Sequence, residues 1–385
     1  MTTLSQSTPT EVRLPLRERV RVRLAGIVVA PVKRRPQRDA RLRAVISLAV
    51  GCALFFAVQF GLGWAVHTEH NPLRDPIYFD KLALLKKHPA FFAPPGGRSS
   101  TVLFLGSSRT LNAVNARAAS VQFTDAFGEP VEAFNFGQAG AGPITNAVYL
   151  RRLVKEGVKP DFAVIEIHPT FLAGQRPDPP ETKWLLPIRL RPDELPVVRA
   201  MGFPAAEPAV HGPRGFLAPL YEYRFLTLDR YAPWFLMSNQ RLNGGHECDD
   251  FGFTRLQEQV NPADKPALLA IAKGQYASYF DGYRPNGCGV NGLRDTIEVC
   301  QANGIRPALA MMPESPTWLA WYDAEGLKEL KRLADRLGEE YGVPVFDGRT
   351  WVPDELTVDG HHVAGPGADM FTKRIVSDVS KWMKR

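Results

Sequence analysis

Cysteine is scarce in this chain, and the few cysteines are not clustered. Four of the 385 residues are cysteines, and no Cys-x-x-Cys pair occurs. The sequence therefore lacks the spacing of a zinc ribbon or a thioredoxin-like redox site. Cys52 lies in an apolar run, and Cys300 lies in a helical pattern that predicts a buried thiol. Cys248 and Cys288 lie in glycine-rich, loop-like sequence and can pair if that part of the chain is outside the cytoplasm.

Charged residues are absent from residues 44–66. A membrane-spanning helix needs about 20 consecutive apolar residues, so this stretch is predicted to be a single transmembrane helix. Gln59 is its only strongly polar side chain, and Trp64 lies near its end, where interfacial aromatic residues are common. A cleaved signal peptide would have a shorter apolar region, about 7–15 residues, followed by a small-residue cleavage site. The length of the stretch favours an uncleaved anchor.

Basic residues are concentrated directly before this stretch. Residues 1–43 carry eleven Lys or Arg against three Asp or Glu, in a chain of net charge +7. The positive-inside rule places this basic tail in the cytoplasm and everything after about residue 67 on the outer, periplasmic side of the inner membrane. A basic tail can also bind nucleic acid. The neighbouring apolar stretch favours a lipid bilayer as the partner here, and no nucleic acid is expected.

An alternation of apolar runs and helical patterns begins at residue 99. The apolar runs predict strands at residues 101–105, 131–136, 162–167, 305–312 and 344–346. Apolar residues at helical spacing predict helices at residues 144–155, 291–301, 327–341 and 368–383. This alternation predicts an α/β fold in which a parallel sheet of about five strands is covered on both faces. Residues 99–385 are therefore expected to form the extracytoplasmic domain.

Two segments do not follow the alternation. Residues 67–98 end in a Pro-Pro-Gly-Gly run and are expected to be a stalk or linker, with one or two helical turns near residues 82–87. Residues 171–289 are rich in Pro, Arg, Trp and Tyr and are expected to be a long insertion after the third strand. A structureless loop of that length is implausible, so the insertion should contain short helices. Its aromatic residues can line a substrate groove or cover a small core of their own.

Two motifs at opposite ends of the domain offer the parts of a nucleophilic site. Gly106-Ser107-Ser108 follows the first predicted strand, at the carboxyl edge where open α/β sheets bind ligands. A serine there can act as a nucleophile if a base reaches it. Asp359-x-x-His362 offers such a base, with a carboxylate three residues away that can orient the imidazole. The two motifs predict a Ser-His-Asp triad.

A third motif, Asn135-x-Gly137-x-x-Gly140, follows the second predicted strand and offers N–H groups and an amide side chain for a developing oxyanion. In this order the three motifs resemble the blocks of the SGNH or GDSL-like hydrolases. The resemblance covers roughly residues 99–170 and 290–383. It implies a flavodoxin-like α/β/α sandwich and a serine esterase in which Ser108 is the nucleophile, with Gly140 as the oxyanion glycine.

One block of the family is missing. The third predicted strand is followed by Glu166-Ile-His168-Pro-Thr170, whereas the family has an asparagine there. Thr170 or His168 is expected to take over that oxyanion contact, or the oxyanion hole has two donors only. The missing asparagine also supports a second hypothesis, a catalytically silent protein that binds glycan or scaffolds a membrane enzyme.

The N-terminal anchor and the Gly-Ser-Ser-Arg form of the first motif are similar to a membrane-anchored branch of the family. That branch includes alginate O-acetylation proteins and the D-alanine-transfer protein of teichoic acid assembly. The resemblance implies, as partners, a cell-envelope polysaccharide or its acyl donor and a multi-spanning membrane O-acyltransferase. It does not separate ester hydrolysis from acyl transfer.

Several charged or titratable residues have alternative interpretations. Arg109 can bind an anionic group of a substrate or point to solvent, and Glu166 is expected to pair with a basic group in the core. His361 competes with His362 as the base. Asp359, His361 and His362 can together hold a metal, but no further ligand pair at metal spacing occurs. Neither a metal nor a cofactor is expected.

Overall fold

The structure, a computed structural model, describes residues 37–67, 75–94, 99–176, 178–205, 218–237 and 248–384. The chain divides into two compact units, Met1–Val58 and Gln59–Arg385. Most of the predicted basic tail lies outside the described residues. Helix α1 covers Gln37–His67, and its Asp39–Ala65 part is long and apolar enough to cross a membrane. The predicted span, residues 44–66, falls within α1.

The second unit contains five parallel strands: β1 (Ser100–Leu105), β2 (Val131–Asn135), β3 (Phe162–Glu166), β4 (Arg306–Met311) and β5 (Val345–Asp347). Their order in the sheet is β2-β1-β3-β4-β5. The register pairs Phe104 with Asn135 and with Val164, so the ends of the first three strands lie side by side. This is the flavodoxin-like strand order, which places a ligand site at the carboxyl ends of β1 and β3. The α/β prediction is confirmed.

The helices of the second unit follow in chain order. They are α2 (Pro76–Leu85), α3 (Ser108–Ala113), α4 (Ala116–Phe127), α5 (Pro143–Lys155), α6 (Leu195–Ala200), α7 (Pro219–Glu222), α8 (Arg224–Tyr231), α9 (Lys265–Phe280), α10 (Cys288–Ala302), α11 (Pro316–Leu319), α12 (Ala324–Tyr341) and α13 (Gly365–Met383). Short 3-10 turns cover Pro89–Phe91, Pro169–Leu172, Pro180–Lys183, Pro187–Arg189, Pro233–Phe235 and Asp354–Leu356.

Each face of the sheet has its own apolar core, because side chains alternate along a strand. On one face, Val102 and Phe104 pack with apolar residues of α4 and α13. On the other face, Leu103 and Leu105 pack with apolar residues of α2, α5, α10 and α12. The result is the three-layer α/β/α arrangement that covers both faces of a parallel sheet.

The predicted stalk differs from the structure in its described part. Helix α2 lies within it and buries Tyr78, Leu82 and Leu85 in the core, and the 3-10 turn after it buries Phe91. The apolar residues of α2 recur at helical spacing, so one side of this helix can pack on the body. Residues 75–94 therefore belong to the folded domain.

Two helices between β1 and β2 were not predicted. Asn115 caps α4 by accepting the N–H of Ala118, and Gly128 ends that helix in a left-handed conformation with φ of 70°. These are ordinary start and stop signals that sequence reasoning can use. The insertion contains short helices, as predicted, and also the sixteen-residue helix α9.

Candidate active site

The two adjacent serines after β1 have different hydrogen-bond partners. Ser107 caps α3, its hydroxyl accepting the N–H of Arg109 at 3.0 Å and donating to Glu166 Oε1 at 3.0 Å. Ser107 is therefore held in the core. Ser108 is the first residue of α3, and its Oγ lies 2.8 Å from Nε2 of His362, 254 residues later in the chain. The structure thus brings Ser108, and not Ser107, to the imidazole.

The imidazole of His362 is held by the carboxylate of Asp359. Its Nδ1 lies 2.8 Å from Asp359 Oδ2, while Asp359 Oδ1 accepts the backbone N–H groups of His362 at 2.9 Å and His361 at 3.2 Å. A turn carries all three residues, closed by a bridge between Thr357 and Val363. The carboxylate therefore fixes both the ring and the backbone that carries it.

The electrostatics of Asp359 favour its charged form. Burial raises the pKa of this carboxyl, but the neighbouring rings of His361 and His362 and the hydrogen bonds from His362 lower it more strongly. The pKa of Asp359 lies well below its usual range. A carboxylate at Nδ1 favours the tautomer that carries its proton there, which leaves Nε2 free to accept the proton of Ser108. Chemically, this arrangement can activate a hydroxyl.

Ser108 and Gly140 line the same cavity, and each has a backbone N–H that is a candidate oxyanion donor. Gly140 lines the same cavity as Ser108 and adopts φ of 70°, and no partner for its N–H is found within the described part of the chain. The N–H of Ser108 is in the first turn of α3, where N–H groups have no partner inside the helix. These two donors can stabilise an oxyanion.

Asn135 and Gly137 have structural roles at this edge. The Asn135 amide donates to the carbonyls of Thr110 at 2.8 Å and Val114 at 2.7 Å, and its Oδ1 accepts the N–H of Gly137 at 2.8 Å. Both residues use these groups to hold the end of β2 against α3. Neither of them lines the cavity, in contrast to the prediction that the motif offers their N–H and amide groups to a developing oxyanion.

The side chains of Thr170 and His168 form a hydrogen bond with each other. Thr170 Oγ1 lies 2.9 Å from Nδ1 of His168, whose ring stacks on Phe171, and both residues are buried. Burial, and then the charges of Arg109 and the site histidines, lower the pKa of His168 well below its usual value, so its ring is neutral at pH 7. Neither residue lines the cavity that contains Ser108.

Arg109 is a buried core residue. Its guanidinium donates to Glu314 Oε1 at 3.1 Å and to the Met312 carbonyl at 2.7 Å, and lies 3.8 Å from Glu166. The pairing expected for Glu166 is therefore met by Arg109. The side chain of Arg109 reaches neither solvent nor the cavity, because it is buried against Glu166 at the end of β3 and against residues that follow β4.

The cavity over the triad has a volume of about 380 Å³, and one of its walls comes from the insertion. Sequence reasoning did not single out the residues that form this wall. Its described lining residues from the insertion are Trp184, Leu256, Leu268, Ile271, Ala272, Gln275 and Tyr276. No Lys or Arg is among the described residues that line it. The aromatic content of the insertion was the only available signal for this wall.

Glu181 fixes one side of this wall. Its carboxylate accepts the backbone N–H groups of Gly142 at 3.1 Å and Ile144 at 3.0 Å at the start of α5. Three residues later, Trp184 lies against Gly140 and stacks near Tyr276 with a ring-centroid distance of 6.1 Å. A buried carboxylate thus attaches the insertion to the loop that carries the candidate oxyanion glycine.

His361 lies beside the triad and also lines the cavity. Its side chain is buried, and the centroid of its ring lies 4.0 Å from the ring centroid of His362 and 4.1 Å from that of Trp318. The imidazole nitrogen at hydrogen-bond distance from Ser108 Oγ belongs to His362, at 2.8 Å. Ligand atoms of Asp359, His361 and His362 all lie within 4.8 Å of one another. Among the described residues this gives three ligands on one turn, while structural zinc sites use four.

The pairing of Cys248 with Cys288, which the sequence left open, is not formed. Cys248 and Cys288 are both free thiols and partly exposed, and Cys300 is buried as expected. Thr254 Oγ1 lies 3.3 Å from the sulfur of Cys248.

Comparison with known proteins gives one family and a set of similar folds. A family described as "Protein of unknown function (DUF1574)" matches residues 74–178. No curated protein sequence matches the chain. The matched residues begin just before α2 and end within the insertion, and they include strands β1, β2 and β3.

Solved structures of esterases are similar to this chain at low identity. A lipase/acylhydrolase from Enterococcus faecalis is 12% identical, with 73% of this chain and 96% of that chain covered and a TM-score of 0.32. A putative arylesterase from Agrobacterium tumefaciens is 12% identical, with 73% and 99% covered and a TM-score of 0.36. An acetyl-xylooligosaccharide esterase mutant from Geobacillus stearmophilus is 13% identical, with 73% and 95% covered and a TM-score of 0.33. At these scores, the assignment of the fold rests on the strand order of this chain itself.

Proposed function

We propose that this protein is a membrane-anchored, SGNH-like serine esterase or O-acyltransferase. Ser108 would be its nucleophile, His362 its general base and Asp359 the residue that orients the base. The observation that carries the proposal is the chain of two 2.8 Å contacts from Ser108 Oγ to His362 Nε2 and from His362 Nδ1 to Asp359 Oδ2. These are the distances and roles that activate a serine hydroxyl.

The chemistry has two halves. Ser108 Oγ attacks the carbonyl carbon of an ester while its proton moves to His362 Nε2. The carbonyl oxygen becomes an oxyanion, for which the N–H groups of Ser108 and Gly140 are the proposed donors. The alkoxide leaves with the proton from His362, and an acyl-serine remains. A second hydroxyl, from water or from an acceptor, then takes the acyl group by the same steps in reverse.

The acceptor decides between hydrolysis and transfer. Water would give a free acid, and a sugar hydroxyl would give a new ester. We propose a cell-envelope polysaccharide as the donor or acceptor, and a multi-spanning membrane O-acyltransferase as the partner. The apolar helix α1 supports the membrane location in this proposal, because its length allows it to hold the domain at a membrane. In this proposal the N-terminus is cytoplasmic and the domain is periplasmic.

The triad is tested by Ser108→Ala. The variant is expected to lose hydrolysis of p-nitrophenyl acetate, by at least about 10³-fold in kcat, and to lose labelling by a fluorophosphonate probe. Ser377→Ala is the control, because Ser377 is an exposed serine on α13. Unchanged activity in Ser108→Ala would remove the assignment.

The second candidate function is a catalytically silent, glycan-binding or scaffolding protein. It is supported by the positions of His168 and Thr170, which bond to each other and do not line the cavity, so neither takes the place of the family's asparagine. A silent protein would not react with the fluorophosphonate probe even when folded. Stoichiometric labelling of Ser108 in the full chain would exclude it.

A further inference from the structure

One part of the insertion exposes many large apolar side chains. Residues 218–237, called here the aromatic segment, comprise α7, α8 and the 3-10 turn Pro233–Phe235. Tyr221, Tyr231, Trp234 and Phe235 are 63%, 65%, 70% and 73% exposed. Single exposed apolar residues are normal, but a group of this kind on one short segment marks an interaction surface.

The opposite side of the aromatic segment packs beside the end of α1. Tyr223 and Leu226 are buried in a small cluster with Leu62 and Ile188. The backbone N–H of Leu220 also donates to Gln59 Oε1 at 3.1 Å. Gln59 and Leu62 belong to the same unit as the aromatic segment and lie in the last turns of the membrane-length stretch Asp39–Ala65. The segment is thereby fixed beside the end of that stretch.

The side chains of the aromatic segment have the chemistry of a bilayer interface. Tyr and Trp are enriched where a membrane meets water, because their rings are apolar and their polar atoms can stay hydrated. Arg224 lies over the rings of Tyr221 at 3.9 Å and Phe225 at 4.6 Å. A guanidinium on an aromatic face retains donors for a phosphate, which a phospholipid headgroup supplies.

We propose that the aromatic segment is a second membrane contact, which rests in the headgroup region of the outer leaflet beside α1. This inference rests on the proposed membrane anchoring. A transmembrane helix alone leaves its domain free to turn about one point of attachment. The second contact would restrict that motion and hold the site at one orientation to the bilayer. A lipid surface is favoured over a protein partner because the aromatic segment lies where α1 would leave the bilayer.

The test uses photo-crosslinking in the full chain. The photoreactive amino acid p-benzoylphenylalanine replaces Phe235 in one variant and Val121, an exposed apolar residue of α4, in the control. Each chain is reconstituted in vesicles of phosphatidylethanolamine and phosphatidylglycerol, illuminated and analysed by mass spectrometry. The variant at position 235 is expected to form lipid adducts at least about tenfold more than the variant at 121. Equal, background levels of adducts would overturn the contact.

Further measurements separate the possible failures. In native membranes, a crosslink from position 235 to a second protein in place of lipid would overturn the lipid proposal and favour a protein partner. Extraction of the chain from membranes by alkaline carbonate would overturn both the anchor and this contact. Loss of esterase activity in Ser108→Ala with lipid adducts unchanged would show that the contact and the chemistry are independent. An inactive wild-type chain that still forms adducts would refute the esterase alone.

Discussion

Asp359 uses both of its carboxylate oxygens, which makes its replacement by asparagine informative. Oδ1 accepts two backbone N–H groups, and Oδ2 faces Nδ1 of His362 at 2.8 Å. The asparagine side chain has one oxygen and one NH₂ group. If the oxygen keeps the two backbone bonds, the NH₂ group faces Nδ1. Nδ1 must then accept, so the ring proton moves to Nε2.

A proton on Nε2 prevents that nitrogen from taking the proton of Ser108. Asp359→Asn is therefore expected to lower kcat by about 10³- to 10⁴-fold, or about 4 to 5.5 kcal/mol of activation free energy. The KM should change little, because Asp359 is placed to act on the ring and not on the ester. The backbone hydrogen bonds remain, so the fold should persist.

The assay is steady-state hydrolysis of p-nitrophenyl acetate, with circular dichroism to show that each variant is folded. Asp335→Asn is a matched control, since Asp335 is exposed on α12 and pairs with Lys331 at 2.7 Å. A kcat of Asp359→Asn within threefold of the wild type would refute the assigned role of Asp359. It would also refute the tautomer on which the mechanism depends.

Two further predictions concern the same site. Gly140→Ala should lower kcat by about 10²-fold or more, because the added Cβ meets Trp184 and displaces an oxyanion donor. Gly128→Ala is its control, since Gly128 has the same φ of 70° but open space around it. Both variants share the left-handed backbone cost of about 1–2 kcal/mol, Gly140→Ala should lose further stability through the contact with Trp184, and only Gly140→Ala should lose activity. The lowered pKa of Asp359 predicts that its carboxylate stabilises the fold above the unfolded-state value of about 3.9. This contribution is lost as the pH falls below that value. The difference in the free energy of unfolding between wild type and Asp359→Asn should therefore narrow from pH 6 to pH 3 in urea titrations. A constant difference would contradict the lowered pKa of Asp359.

The sheet was predictable because its signals are local. Each strand is a short apolar run bounded by turn residues, and the structure places every strand within two residues of its prediction. The rule that parallel strands present their carboxyl ends at one edge places Ser108 at that edge, and the turn after β5 that carries His362 reaches back to it. Only the type of residue at those ends had to be read from the sequence. The catalytic role of the two residues stays a prediction.

The roles of Arg109 and Asn135 could not be read in the same way. Arg109 follows the candidate nucleophile directly, but its direction is set by Glu314, 205 residues later. Asn135 resembles an oxyanion donor by its motif, but three carbonyls of the chain after Ser108 lie within reach of its amide, the closest at 2.7 Å. In both cases a distant or non-local partner decides whether a polar side chain faces the substrate or the core.

The insertion connects the cavity wall, which the sequence did not predict, to the loop of Gly140, which it did. Glu181 fixes the insertion to the start of α5, which places Trp184 against Gly140 and gives the cavity its wall. Farther along the same insertion, the aromatic segment packs on Leu62 at the end of the membrane-length helix. One long segment therefore carries both the lining of the site and the proposed membrane contact.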